Sequence, residues 1–443
     1  MSCVAIIPVE VQFGMAIVVH QDAVIADAVC APAPVRVGLL GLGNVGSAVA
    51  RLSRDAAPAL AARGFAPIIE AALVRSARPG RPASDAVLDL TEHPDVFFSH
   101  QLDVVIEVLG GVEPARTLVR RALDRGIPVV TANKSLVAAH GHELAAFARR
   151  RGTAFRYEAS VIAGVPFLGT FERRPLVSRT DSLIGILNGT SNFILTQIAR
   201  GSSFADALGE AQRRGYAEPD PSMDVSGGDA AEKLAVLIRQ FGGLIVPPRR
   251  IPRTGIDVVE PQDLDAAREC GGVVRPVASA AWSDARVRAF VAPAFVPHDH
   301  PLAPVAGSTN AVLLSGPSGT QCYSGPGAGP DVTAATLLDD VAEVVTEGRV
   351  RPPSPIAATA AVTCDPPATS WFVRVSDARA EAAAIADLLA AYGVLCSRVV
   401  TTAGRIYLRT FPIEPARLHE GLAAVRAATR ADVVPFHALE VRC

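Results

Sequence analysis

The sequence predicts an α/β protein whose first half is a doubly wound parallel sheet, and three observations carry that prediction. Short apolar runs alternate with helical patterns from residue 35 to 160, as βαβ units require. The first run, Val35-Arg36-Val37-Gly38-Leu39-Leu40, feeds directly into a turn with three glycines. Past residue 160 the alternation gives way to mixed α+β texture, and the last seventy-odd residues return to a compact β-α-β-β-α order.

Element by element, 48–60 is Ala-rich and helical, and 68–74 is a second apolar strand followed by a polar, Pro-containing loop. Residues 103–108 form a third strand, Asp103-Val104-Val105-Ile106-Glu107-Val108. A helix over 114–125 follows, with Pro114 in its first turn. The strand at 126–131 and the helix at 136–151 continue the alternation, and 155–158 is a further strand. Residues 334–347 read as an amphipathic helix, and Pro352, Pro353, Pro355, Pro366 and Pro367 mark a linker. Strands at 371–376, 394–402 and 405–411, with helices at 381–392 and 414–429, fit a small ferredoxin-like module. The expected division is an extension over 1–34 and a dinucleotide-binding domain over 35–160, joined by a returning segment at about 325–350. A second domain over 161–324, a Pro-rich linker over 351–369 and the module over 370–443 follow.

A chain of 443 residues exceeds what one core holds, so two or three domains are expected. Charged residues are 19% of the total and the formal net charge is −2, without a basic run, which argues against a nucleic-acid partner. The seven cysteines, Cys3, Cys30, Cys270, Cys322, Cys364, Cys396 and Cys443, are scattered and contain no C-x-x-C pair. That excludes a disulfide framework and a Cys-based zinc site, and points to a reducing, cytoplasmic setting. No apolar stretch reaches the ~18 residues of a membrane span. Residues 1–34 lack the basic start of a signal peptide; they read as an irregular extension or as an upstream start, with Met15 as the true one.

Gly41-Leu42-Gly43-Asn44-Val45-Gly46 is a G-x-G-x-x-G turn between strand and helix, the signature of a Rossmann-type dinucleotide site. Gly41 permits the turn, Gly43 lets backbone approach a pyrophosphate, and Gly46 permits close helix–strand packing. The helix N-terminus then offers N–H groups to the phosphates. The second strand ends at Val74-Arg75-Ser76-Ala77-Arg78, with two cations where an NAD-specific site places an acid. That favours the 2′-phosphate of NADP, with NAD remaining possible. Thr131-Ala132-Asn133-Lys134 sets a lysine at the carboxyl end of a parallel strand, where open α/β sheets bind ligands. An acidic, Pro-containing loop from Gly215 to Asp224 leads through Ser226-Gly227-Gly228 into a helix carrying Asp229 and Lys233 on one face.

Those segments, with Tyr157-Glu158-Ala159-Ser160-Val161, Asn188-Gly189-Thr190-Ser191-Asn192, His300-Pro301-Leu302-Ala303 and Gly325-Pro326-Gly327-Ala328-Gly329, resemble the homoserine dehydrogenase family, in order from about residue 35 to 350. The resemblance implies reversible NAD(P)-dependent interconversion of L-homoserine and L-aspartate 4-semialdehyde, in threonine, methionine and isoleucine biosynthesis. It implies Lys233 as the acid/base at the substrate oxygen and Lys134 beside nicotinamide and substrate. It also implies Glu218, Asp229, Asp224 and Thr190 around the amino acid, and Gly327 among the cofactor contacts. A monovalent cation, sodium, is implied on oxygens of Glu158, Val161, Ala163 and Val165. The central 161–324 becomes the catalytic and dimerisation domain, and the chain a homodimer of the monofunctional type.

The C-terminal module resembles an ACT module but reads Val375-Ser376-Asp377-Ala378-Arg379-Ala380, without the Pro-Gly turn usual there. A structural or dimerising role is therefore expected of it, and threonine feedback is not. Three competing readings stand beside this one. A thiol-using semialdehyde dehydrogenase needs an activated cysteine, and none of the seven sits at a helix start beside a base. A catalytically silent NAD(P) sensor would keep the glycines and lose Lys233 or Glu218, and both are present. A homologue acting on a homoserine analogue differs only in pocket side chains.

Overall fold

The computed structural model describes residues 34–62, 64–77, 83–172, 179–283, 286–347, 361–362, 368–377 and 380–440. Residues 1–33 of the predicted extension, Arg78, and most of the linker predicted over 351–369 lie outside them. Two sheets organise the rest. The first is parallel and six-stranded, in the order β3-β2-β1-β4-β5-β6. Its strands are β1 (Pro34–Leu40), β2 (Ala66–Leu73), β3 (Asp89–Thr91), β4 (Val104–Glu107), β5 (Val129–Thr131) and β6 (Phe155–Arg156). The sequence reading missed β3, because three residues of Asp-Leu-Thr are too few to show a period. Pro114 also stands one residue outside its helix, at the N-cap of Ala115–Asp124.

Strand order reverses between β1 and β4, so the connections leave in opposite directions there and open a crevice beyond the carboxyl ends. Both faces of the sheet are apolar, as a parallel sheet demands. Val37, Leu39, Ile69, Ala72, Val104 and Ile106 face one layer, and Leu40, Ala71, Leu73 and Val105 the other. The helix Pro330–Glu347 returns to this sheet and buries Ala334, Leu337, Leu338 and Val341 against it. That i, i+3, i+4, i+7 spacing is a single helical stripe.

The second sheet has ten strands: β7 (Ser182–Ile186), β8 (Gly272–Ser283), β9 (Arg286–Pro297), β10 (Thr309–Gly316), β11 (Gly319–Pro326), β12 (Ala361–Val362), β13 (Ser370–Ser376), β14 (Cys396–Thr402), β15 (Arg405–Thr410) and β16 (Asp432–Ala438). Their order is β11-β10-β7-β8-β9-β16-β13-β15-β14, with β12 beside β9. The strands of the C-terminal module thus do not form a sheet of their own. β16, unforeseen in the sequence, pairs with β9 in parallel through His437↔Ala294 and Ala438↔Phe295, and the Leu439 N–H donates to the Phe295 carbonyl at 2.8 Å. Phe295, Phe372, Tyr407 and Phe436 pack into one core across that junction.

Candidate active site

The glycine turn meets each steric demand read from the sequence. Gly41 has φ 103°, a region costly for any residue with a Cβ. A Cβ on Gly46 would lie 2.1 Å from the Gly41 carbonyl oxygen, so only glycine lets the helix start against the strand end. Beside Gly43 there is open space. No side chain caps the helix Asn44–Asp55; its N-cap Gly43 and first residue Asn44 are exposed and Val45 half-buried, while Leu42 of the same turn packs into the core. These residues fit a dinucleotide pyrophosphate. Arg75 is exposed just after β2, and the next described N–H but one, that of Ala77, donates to Glu92 Oε1 at 2.7 Å.

At the crevice, Asn133 caps the helix Lys134–Arg150 by accepting the Leu136 N–H at 3.1 Å. Lys134 is the first residue of that helix and sends Nζ to Asp229 Oδ1 at 3.1 Å. Asp229 stands at the start of the helix Gly228–Gly242, and Lys233, one turn on, contacts Asp229 Oδ2 at 3.0 Å. One carboxylate thereby holds two lysines from two helices. Lys233 Nζ also donates to the Leu187 carbonyl at 2.9 Å. Asn188 caps the helix Gly189–Ile198 through the Ser191 N–H, and its Nδ2 donates to Asp224 Oδ1 at 2.7 Å and Asp229 Oδ2 at 2.9 Å.

Burial pushes the Asp229 carboxyl up, yet Lys233, Lys134 and the Asn188 amide outweigh it and hold the group at about 2. Asp224 goes the other way: burial raises it, helped by the nearby Asp229 charge. The Asp229 carboxylate in turn holds Lys134 above its ordinary value. The cluster is a charged, largely buried core with Lys134 half-exposed at its mouth.

The other predicted residues sit further out. Glu218 is exposed in the acidic loop, where its carbonyl accepts from Gln212 Nε2 at 3.3 Å; its carboxylate is not drawn into the Asp229 cluster. Thr190 is buried and donates to the Tyr216 carbonyl at 2.6 Å, fastening that loop to the helix behind it. Glu158 spends its carboxylate on the N–H groups of Phe167, Leu168 and Gly169, at 2.8–2.9 Å. Val161, Ala163 and Val165 follow it in a buried turn, where the Ala163 carbonyl accepts from Thr336 Oγ1 and the Ala163 N–H donates to the Gly327 carbonyl. Gly327 itself lies against Asn310, whose Oδ1 a Cβ there would approach to 2.1 Å.

The sequence shows Asn188 only as part of a polar turn and Glu107 only as part of the third strand, without a role at the site for either. Asn188 carried a signal, a helix-capping amide opening a polar turn. Glu107 carried another, an acid ending an otherwise apolar strand.

Comparison with known proteins follows the same division of the chain. Residues 41–158 match the model of the homoserine dehydrogenase NAD-binding domain, and 166–342 match the homoserine dehydrogenase model. The homoserine dehydrogenase of Pseudomonas aeruginosa is 36% identical over 70% of this chain and 72% of that protein. The one from Neisseria gonorrhoeae is 30% identical over 89% of this chain and 95% of its own. Among solved structures, a homoserine dehydrogenase from Thiobacillus denitrificans superposes with a TM-score of 0.83 at 32% identity, covering 92% of this chain and 99% of that one. A hyperthermophilic archaeal homoserine dehydrogenase in complex with NADPH superposes at 0.59 and 25% identity, over 71% of this chain and 98% of its own. With its parallel sheet, its glycine turn and its lysines on one aspartate, the chain belongs to the homoserine dehydrogenase family, NAD(P)-dependent oxidoreductases of amino-acid biosynthesis.

Proposed function

We propose that Lys233 holds and releases the proton at the substrate oxygen in the interconversion of L-homoserine and L-aspartate 4-semialdehyde. One observation carries this reading. An ammonium has three protons to donate. The Leu187 carbonyl at 2.9 Å and Asp229 at 3.0 Å engage two of them, which leaves one for a substrate oxygen. Forming the alcohol from the aldehyde builds negative charge on that oxygen, and a positioned acid there is worth about 10²–10⁴-fold. The bound nicotinamide supplies the hydride donor or acceptor. Lys134, kept protonated by Asp229, serves as fixed positive charge near the same oxygen and the cofactor rather than as a base.

Asp229, Asp224 and Glu218 are the carboxylates assigned to the substrate ammonium, with Thr190 holding the loop that carries Glu218. NADP is the expected cofactor on the strength of Arg75, and the NADPH-bound archaeal relative supports it. Sodium is assigned to the carbonyl oxygens of Glu158, Val161, Ala163 and Val165. A carbonyl has two lone pairs, so the one of Ala163 that accepts from Thr336 retains a second. The Glu158 carboxylate is committed to three N–H groups and its carbonyl accepts from the Val161 N–H at 3.4 Å, so the second lone pair of that carbonyl is the one assigned to the ion. A cytoplasmic homodimer assembled through the second sheet completes the proposal.

The test is absorbance at 340 nm with L-homoserine, using NADP and then NAD, on wild type and Lys233→Ala. Reduction by the wild type that falls at least ~100-fold in the variant is expected. A variant within a few-fold of wild type would remove Lys233 from the proton transfer.

A further inference from the structure

We infer that Glu107 is a positioning residue for Lys134, cross-linking the turns that follow β4 and β5 at the carboxyl edge of the parallel sheet; this rests on the role proposed for Lys134. Glu107 ends β4, paired with Leu40 of β1 on one side and Thr131 of β5 on the other. Its side chain is wholly buried. Oε1 accepts from the Leu109 N–H at 2.8 Å and from Asn133 Nδ2 at 3.2 Å, and Oε2 accepts from Thr131 Oγ1 at 2.5 Å. No ion pair to Glu107 occurs among the described residues.

Packing alone would put an apolar residue here, since burial pushes this carboxyl up and a buried acid without a cation is costly. What the carboxylate supplies is connection. Gly110 and Gly111 both have positive φ, 76° and 70°, so the turn after β4 has no regular ladder to hold it. Asn133 passes the restraint on. Its Nδ2 also donates to the Gly111 carbonyl at 2.6 Å, its Oδ1 caps Leu136, and its N–H donates to Thr131 Oγ1 at 2.9 Å. The next residue is Lys134, whose reach to Asp229 depends on where that first helical turn sits. A shift of about 1 Å at a reacting centre costs about 10²-fold.

The experiment is a double-mutant cycle on the intact enzyme, with kcat and KM for L-homoserine and thermal melting for each variant. Glu107→Gln keeps the volume but removes the charge and puts an N–H donor where Oε2 accepted the Thr131 hydroxyl, so that bond must reverse. It lowers kcat roughly 10–100-fold with KM for homoserine within about 3-fold. In a Lys134→Ala background the same change alters kcat by less than about 2-fold, because nothing remains to be positioned. Asn133→Ala removes the bridge and leaves the Leu109 and Thr131 bonds, so it gives the same non-additivity and carries the cycle if Glu107→Gln does not fold. Equal loss in both backgrounds, or unchanged kcat in Glu107→Gln, overturns the inference. A fully active Lys134→Ala overturns it by a separate route, since that single variant defeats the role of Lys134 itself.

Discussion

Asp229 and Asp263 are both buried carboxylates on the first turn of a helix, and burial leaves them in opposite conditions. Asp229 is held at about 2, whereas Asp263 is raised, with burial as the leading cause. The partners explain the difference. Asp229 faces two ammoniums, at 3.0 and 3.1 Å. Asp263, in the helix Pro261–Glu269 under the C-terminal strands, faces Arg374 at 2.7 Å and the Tyr407 hydroxyl at 3.1 Å, and it accepts the Glu260 N–H. Arg374 is shared with Glu260 at 3.0 Å, and Glu260 also pairs with Arg405. Lysines can give up protons and a guanidinium does not, so the first cluster suits chemistry and the second suits a fixed joint.

The strongest way to break that comparison is to neutralise each aspartate in turn. Asp229→Asn is expected to lower kcat/KM for homoserine by about 10³-fold, within the scale of lost acid–base and charge positioning. Asp263→Ala is expected to leave kcat within about 3-fold at a permissive temperature. It should lower unfolding stability by about 3 kcal/mol, the low end for a broken buried pair, since Glu260 still faces Arg374. Turnover on one side and denaturant midpoint on the other separate the two. If Asp263→Ala abolishes turnover while folded, the joint is part of the site.

How far the sequence revealed these clusters follows from the kind of signal each leaves. Gly41 and Gly46 each answer a local steric demand and Gly43 leaves open space for a ligand, so the dinucleotide turn was legible residue by residue. Asp229 and Lys233 lie one helical turn apart and could be paired by spacing. That Lys134 shares the same carboxylate could not be read, because it arrives from another helix in the other sheet's layer. The joint was illegible for a related reason. β16 is paired in register with β9 at His437 and Ala438, too few residues to imprint a period, and Pro435 interrupts the strand pattern. The family resemblance supplied roles that spacing alone does not give, and Glu218 stays in an exposed loop, away from the cluster those roles would join it to.

The joint should also betray itself in acid. His437 is stacked between Phe290, with ring centroids 3.8 Å apart, and Trp371, at 4.3 Å, and burial pushes it down to about 4. An unfolded histidine titrates near ~6.5, so between there and about 4 the unfolded chain binds the extra proton and stability falls as pH falls. The loss across that window is on the order of 3 kcal/mol. Asp263, raised by burial, acts with the opposite sign, so wild type must be compared with His437→Phe rather than read alone. Urea unfolding at pH 7 and pH 4.5 should show a larger drop in wild type than in the variant. Equal drops would mean that the imidazole is reached by water and that the joint is looser than its packing.

The smallest expected effect sharpens the other side of the comparison, since Arg75 belongs to the catalytic half yet lies exposed at its rim. A buried charge such as Asp229 acts on every turnover, while an exposed one acts only on the ligand group that reaches it. Arg75→Ala is therefore expected to raise KM for NADP about 10-fold, the equivalent of about 1.4 kcal/mol from one charge-assisted contact to the 2′-phosphate. KM for NAD and kcat with either cofactor should stay within about 2-fold of wild type. The difference should also shrink as salt is raised, because an exposed ion contact is screened within about 10 Å at 0.1 M. Parallel changes in KM for both cofactors would place Arg75 on the shared pyrophosphate or ribose instead. The choice between NAD and NADP would then lie with the Ala77–Glu92 side of the loop.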